Sequence, residues 1–78
     1  MEQLSNPEML RKLSEVGYLS CLKGNVAHGE IIMEGVHAMD ENSIPIKVGL
    51  AIARISASRF SEAAHILQMC RLLAVAHP

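Results

Sequence analysis

The chain is 78 residues long and half apolar, with seven Lys and Arg against eight Asp and Glu for a formal net charge of −1. That length fits one small domain, residues 1–78, and the near-neutral balance gives no electrostatic reason to expect nucleic acid or an anionic membrane as a partner. The aromatic residues are Tyr18 and Phe60, so a core has to be aliphatic, built from residue types that mostly favour helix.

The start Met1-Glu2-Gln3 lacks the basic-then-apolar layout of a signal peptide. Asn6-Pro7-Glu8 is a helix start: Asn accepts from free N–H groups, Pro suits the first helical position, and Glu favours the positive helix end. Met9, Leu10, Leu13, Val16, Leu19 and Leu22 then form a helical stripe, closed by Lys23-Gly24-Asn25. A second pattern runs through Val26, Ile32, Met33, Val36 and Met39 until Asp40-Glu41-Asn42-Ser43 interrupts it. Pro45 marks the third helix, whose Ile46, Val48, Leu50, Ile52, Ala53 and Ile55 are apolar on most sides and predict a central position. Ser56-Ala57-Ser58-Arg59 is a weak break. Phe60, Ala63, Ile66, Leu67, Cys70, Leu73 and Ala74 form the fourth pattern, ending near His77-Pro78. No segment alternates with period two, so the expected fold is all-α. No apolar run approaches the ~18 residues that span a bilayer. The expectation is a soluble, cytoplasmic protein without membrane insertion. Cys21 and Cys70 form no C-x-x-C unit and are read as reduced, buried thiols, with a single bridge as the alternative.

The second half resembles the first at an offset of 34 residues. The shift pairs Val16 with Leu50, Gly17 with Ala51, Gly24 with Ser58, Val26 with Phe60 and Gly29 with Ala63. It also pairs Ile32 with Ile66, Met33 with Leu67, Val36 with Cys70 and Met39 with Leu73. Small residues recur where paired helices would cross closely, and larger apolar residues recur around them. A period of this length made of two helices is a signature of helical repeat arrays. The alternative is a plain four-helix bundle whose two amphipathic halves correlate by chance.

On these residues the chain resembles the tetratricopeptide repeat family. Val16-Gly17, Gly24-Asn25-Val26, Gly29 and Met33 follow that family's spacing in the first repeat, about 7–41. Leu50-Ala51, Ser58-Arg59-Phe60, Ser61-Glu62-Ala63-Ala64 and Leu67 follow it in the second, about 43–76. Ser20 and Arg54 depart from it in place of an aromatic, Gly29 in place of Ala, and Glu41 in place of the terminating Pro. The resemblance implies two antiparallel helix-turn-helix hairpins and a concave face lined by the first helix of each. By position that face holds Arg11, Ser14, Tyr18, Cys21 and Leu22, then Val48, Ile52, Ile55 and Ser56. It lacks the paired basic residues with which the family clamps a peptide carboxylate. A mainly apolar groove suits an amphipathic helix anchored at i, i+3, i+4 and i+7; the alternative for Ile52 and Ile55 is that they are core. Two repeats also lack a cap. Leu72, Leu73, Val75 and Cys70 cover too much of the last helix for one packed face, which predicts a partner or self-association. Leu72 and Val75 therefore join the candidate partner-binding residues.

Catalytic and metal chemistry are not expected, nor is a cofactor. His28 and His37 lie nine residues apart, and His65 sits on another helix, so no i, i+4 ligand pair exists. Cys70 and His65 are not on one helix face and lack an orienting carboxylate. Glu30, Glu34, Asp40 and Glu41 read as a solvated face. Gly29 and Gly35 read as sites of close helix approach, with a break at Gly35 as the alternative. In size and aliphatic character the chain resembles the small cytosolic chaperones of bacterial type III secretion. That resemblance implies a chaperone or co-chaperone holding an amphipathic helix of a needle or translocator subunit, often beside a second small chaperone. The alternative is an assembly subunit that homo-oligomerises through its exposed apolar last helix. A helix-turn-helix nucleic-acid binder would need a basic recognition helix, and Arg54 and Arg59 lie in an otherwise apolar stretch.

Overall fold

In the computed structural model, which describes residues 6–76, the chain folds into helices α1 (Pro7–Leu22), α2 (Val26–Met39), α3 (Ile44–Ser56) and α4 (Phe60–Ala76), with no strand among the described residues. Met1-Glu2-Gln3 and the expected helix end at His77-Pro78 lie outside these residues. The side chain of Asn6 accepts from the N–H of Glu8 at 2.8 Å, with Pro7 opening α1. Ser43 accepts from the N–H of Ile46 at 3.3 Å, with Pro45 in the first turn of α3. Each cap satisfies a donor that the first helical turn leaves free.

The two hairpin turns are the same turn. Gly24 N–H donates to Cys21 O at 3.1 Å and Asn25 N–H to Ser20 O at 2.8 Å; Ser58 N–H donates to Ile55 O at 2.9 Å and Arg59 N–H to Arg54 O at 2.7 Å. Both pairs are the reciprocal bonds that close a helix through one left-handed residue. Gly24 takes that conformation at φ 88°, as its missing Cβ allows, and Ser58 takes it at φ 62°. The weak break in the sequence is thus a full chain reversal, because backbone bonding offsets the cost of a left-handed serine.

Small residues set the packing. A Cβ at Gly29 would collide with Cys21 Sγ and lie 2.7 Å from Gly17 O, so α2 crosses α1 nearly backbone to backbone. Gly35, by contrast, has open space on its outer side and lies within an unbroken α2; neither close approach nor a break explains it. Helix α3 packs against the other three helices. It buries Ile46, Leu50, Ala51 and Ala53, which gives it the central place its composition predicts. One core cluster joins Cys21, Met33, Leu50 and Ala53, with Ile66 against it; the other joins Leu10, Val36 and Ile46, flanked by Leu13 and Ile32. Both cysteines are free and buried.

The stripe expected on α1 is buried only in its first half, where Leu10 is in the core and Leu13 packs against it. Val16, Leu19 and Leu22 are all at least half exposed. The buried row is Leu10, Gly17 and Cys21, because the close approach of α2 at Gly17 and Gly29 fixes which side of α1 is covered. The four helices spread over 36 × 32 × 14 Å. The short dimension holds about two layers of helix at the usual spacing of roughly 8–10 Å, and large apolar side chains such as Val16, Leu22, Leu72 and Val75 stay exposed.

Gly29→Ala is expected to lower the unfolding free energy by about 1–3 kcal/mol, because backbone must move to admit the methyl. Gly35→Ala is expected to raise it by about 0.4–1 kcal/mol through helix propensity. Urea unfolding followed by circular dichroism reads both; equal effects would mean that the crossing at Gly29 is not close.

Candidate functional site

Helices α1 and α3 run side by side on one face of the slab, and a groove of about 270 Å³ lies between them. Its walls are Arg11, Ser14, Glu15 and Tyr18 from α1 and Pro45, Val48, Gly49 and Ile52 from α3, with Met33 of α2 as its floor. Each α1 residue has its α3 counterpart 34 positions later, so the two hairpins contribute equivalent faces. The lining is almost wholly apolar. Ser14 donates its hydroxyl back to Leu10 O at 2.8 Å and presents little free polarity. A smaller cleft of about 220 Å³ between the starts of α1 and α3 shares Arg11, Ser14 and Pro45 with the groove. Together they make one open trough from Pro7 to Tyr18 along α1. Twelve residues of helix span about 18 Å, enough for three turns of a guest helix.

Five of the groove residues expected from position are therefore together: Arg11, Ser14, Tyr18, Val48 and Ile52. Cys21 is not; its sulfur lies against Gly29 of α2 and it is 6% exposed. Leu22, Ile55 and Ser56 lie beyond the groove at the helix ends and are exposed. Leu72 and Val75 sit on α4, 57% and 75% exposed, away from the groove. Glu15, Met33, Pro45 and Gly49 were missing from the sequence reading. Pro45 could have been found as the 34-residue partner of Arg11.

Behind the groove, α2, α3 and α4 are tied by charge. Arg54 donates to Glu30 at 2.7 Å and stands 2.7 Å from Glu34, while Arg59 lies 3.3 Å from Glu30 and 3.4 Å from Glu62. The side chains of Arg54 and Glu30 are only 12% and 14% exposed. Glu30 and Glu34 are thus members of an ion-pair cluster rather than a solvated face. Burial alone would lower the Arg54 pKa, but hydrogen bonds and charge from Glu30 and Glu34 outweigh it and raise the value. Arg54 Nε is buried without a hydrogen-bond partner, with Glu62 at 3.6 Å. The Cys21 thiol is pushed up from its ordinary 9.0 by burial first and by the negative charge of Glu30 second.

No family model matches the chain, and no curated protein or solved structure is significantly similar to it. The trough has to be read from its own chemistry. Among the described residues no three His, Cys, Asp or Glu side chains converge to hold a metal ion. Cys70 is buried while His65, on the same helix, is exposed. No helix among those residues is long and apolar enough to cross a membrane.

Arg54→Ala is expected to cost about 2–4 kcal/mol of stability, because it leaves the nearly buried Glu30 carboxylate with only the longer contact to Arg59. Arg54→Lys should recover only part of this, since both carboxylates meet the terminal Nη1 and the shorter ammonium does not extend that far. Thermal unfolding tests both. Cys21 makes a pH prediction. Its folded pKa lies above its unfolded one, so its contribution is complete below about pH 9 and is lost as pH rises through the folded value. Urea midpoints at pH 7 and pH 10 should fall less in Cys21→Ala than in the parent.

Proposed function

We propose that this chain is a protein-binding module, not an enzyme, that holds an amphipathic helix in the trough between α1 and α3. The observation that carries this reading is the mainly apolar trough built from equivalent positions of two hairpins, long enough for about three turns. A helix with apolar residues at i, i+3, i+4 and i+7 has a stripe that such a trough would bury. The two-hairpin arrangement and the shared turn geometry support a tetratricopeptide-like architecture. In its narrower form the proposal is a cytoplasmic chaperone or co-chaperone for a needle or translocator subunit of bacterial type III secretion. The small size, the aliphatic composition and the apolar trough support that form. It requires neither cofactor nor nucleic acid.

A second reading, an assembly subunit that self-associates, is favoured by α4. That helix leaves Leu67, Met69, Leu72 and Val75 between 39% and 75% exposed. Apolar surface gathered on one helix marks a contact.

Tyr18 is the chain's single tyrosine, there is no tryptophan, and Tyr18 lines the trough, so its emission reports on the site directly. Titration with an amphipathic helical peptide free of Tyr and Trp is expected to change Tyr18 fluorescence saturably. Val48→Asp and Ile52→Asp should weaken binding by at least roughly tenfold, as removal of a central apolar anchor does, with helicity retained. Leu22→Asp, off the lining, should change little. Unaltered binding by Val48→Asp would remove the trough as the site.

A further inference from the structure

The 34-residue shift that relates the hairpins also shows which surfaces lack a neighbour. On α3, Leu50 and Ala53 pack toward α2 and are 5% and 0% exposed; their counterparts on α1, Val16 and Leu19, are 52% and 50% exposed. On α2, Met33 is 1% exposed beneath α3, and its counterpart on α4, Leu67, is 43% exposed. The chain thus carries both halves of the α2–α3 interface a second time, apolar and uncovered, at its opposite ends.

We infer that a second copy of the chain stacks head to tail on the first, with α4 of one copy packing on α1 of the next as α2 packs on α3 within each. Chemistry at the counterpart positions fits this occupant. Inside the chain, Arg54 bridges Glu30 and Glu34 across the interface. Between copies the same places hold Ser20 against Ala64 and Gln68, so stacking does not have to reproduce that charged cluster. Where Met33 meets Gly49 inside the chain, the shorter Leu67 meets the larger Glu15. Apolar Val16 and Leu19 receive Leu67 as Leu50 and Ala53 receive Met33. Such a contact joins two different surfaces, so it propagates unless its rotation closes a ring. It also continues the α1–α3 trough from copy to copy.

This inference rests on the self-association reading and relocates its contact. Leu72 and Val75 correspond to Ala38 and Glu41, which α3 leaves exposed; stacking is carried instead by Leu67 with Val16 and Leu19.

The test is the mass of the full chain by sedimentation velocity from micromolar to millimolar concentration, with circular dichroism on each sample. Mass is expected to grow with concentration. Leu67→Asp and Val16→Asp should each raise the dissociation constant at least roughly tenfold, since each places a carboxylate in an apolar contact. Mixed in equal amounts, the two variants should recover a two-chain species, because one keeps an intact α1 face and the other an intact α4 face. Should Val16→Asp lose helicity, Leu19→Lys on the same face replaces it. A parent chain of single-chain mass throughout would overturn stacking and the self-association reading together. A Val16→Asp variant that still forms a two-chain species alone would overturn stacking but leave pairing through α4. Failure of the mixture to recover would overturn stacking as well.

Discussion

The structure depends on one side chain held between two glycines. A Cβ at Gly17 on α1 would lie 2.9 Å from Met33 Sδ, and one at Gly49 on α3 would lie 2.7 Å from Met33 Cε. Met33 itself is 1% exposed. The thioether of α2 is therefore wedged between the helices on either side, and it can be there only because neither presents a side chain at that level. An unbranched, flexible residue is suited to such a slot. The wedge fixes the spacing of α1 and α3, and that spacing is the width of the trough. Packing and binding surface share one cause.

The helices were legible because their signals are local. Asn6-Pro7, Ser43 with Pro45, and Lys23-Gly24 act within one turn of the residues they organise, so no long-range contact has to be known. The 34-residue offset was legible for a related reason. Gly17, Gly29, Ala51 and Ala63 are small wherever two helices cross, and size at a fixed offset survives where identity does not. Faces were harder. The row Val16, Leu19 and Leu22 has a helical period, yet α1 buries Leu10, Gly17 and Cys21 instead. Periodicity finds an apolar stripe but cannot say which of two stripes a neighbour covers, and here the neighbour is placed by glycines that hydrophobicity scales score as neutral. Gly35 shows the converse error, since its composition matches Gly29 while its surroundings do not.

Charge was misread for the same reason. Glu30 and Glu34 lie one turn apart on α2, which alone suggests a solvated flank. Their partners Arg54 and Arg59 come from the second hairpin, twenty or more positions away. Only the α2–α3 contact brings them together. The cluster then has a position as well as an energy: it sits on the side of α3 away from the trough, and it adds to an interface in which Met33 and Val36 of α2 pack with Ile46, Leu50 and Ala53 of α3. A slab this thin has little fully buried apolar volume, so a desolvated ion pair is a substantial part of what keeps the hairpins in register, although a tightly packed apolar pair could in principle serve as well.

The two walls of the trough differ although they occupy equivalent positions. Helix α3 contributes Pro45, Val48, Gly49 and Ile52, with no polar side chain among them. Helix α1 contributes Arg11, Ser14, Glu15 and Tyr18, each with a polar group at its tip. A guest helix lying between them meets an apolar wall on one side and an amphipathic wall on the other. Its apolar stripe has to turn toward α3, and its flank toward α1 has to offer groups that accept from Arg11 and donate to Glu15. These opposite charges are four residues apart, one helical turn. They distinguish one direction of a charged guest from the reverse, because reversing the helix would set like charges together. The apolar wall supplies the driving force, and the wall with charges supplies the orientation.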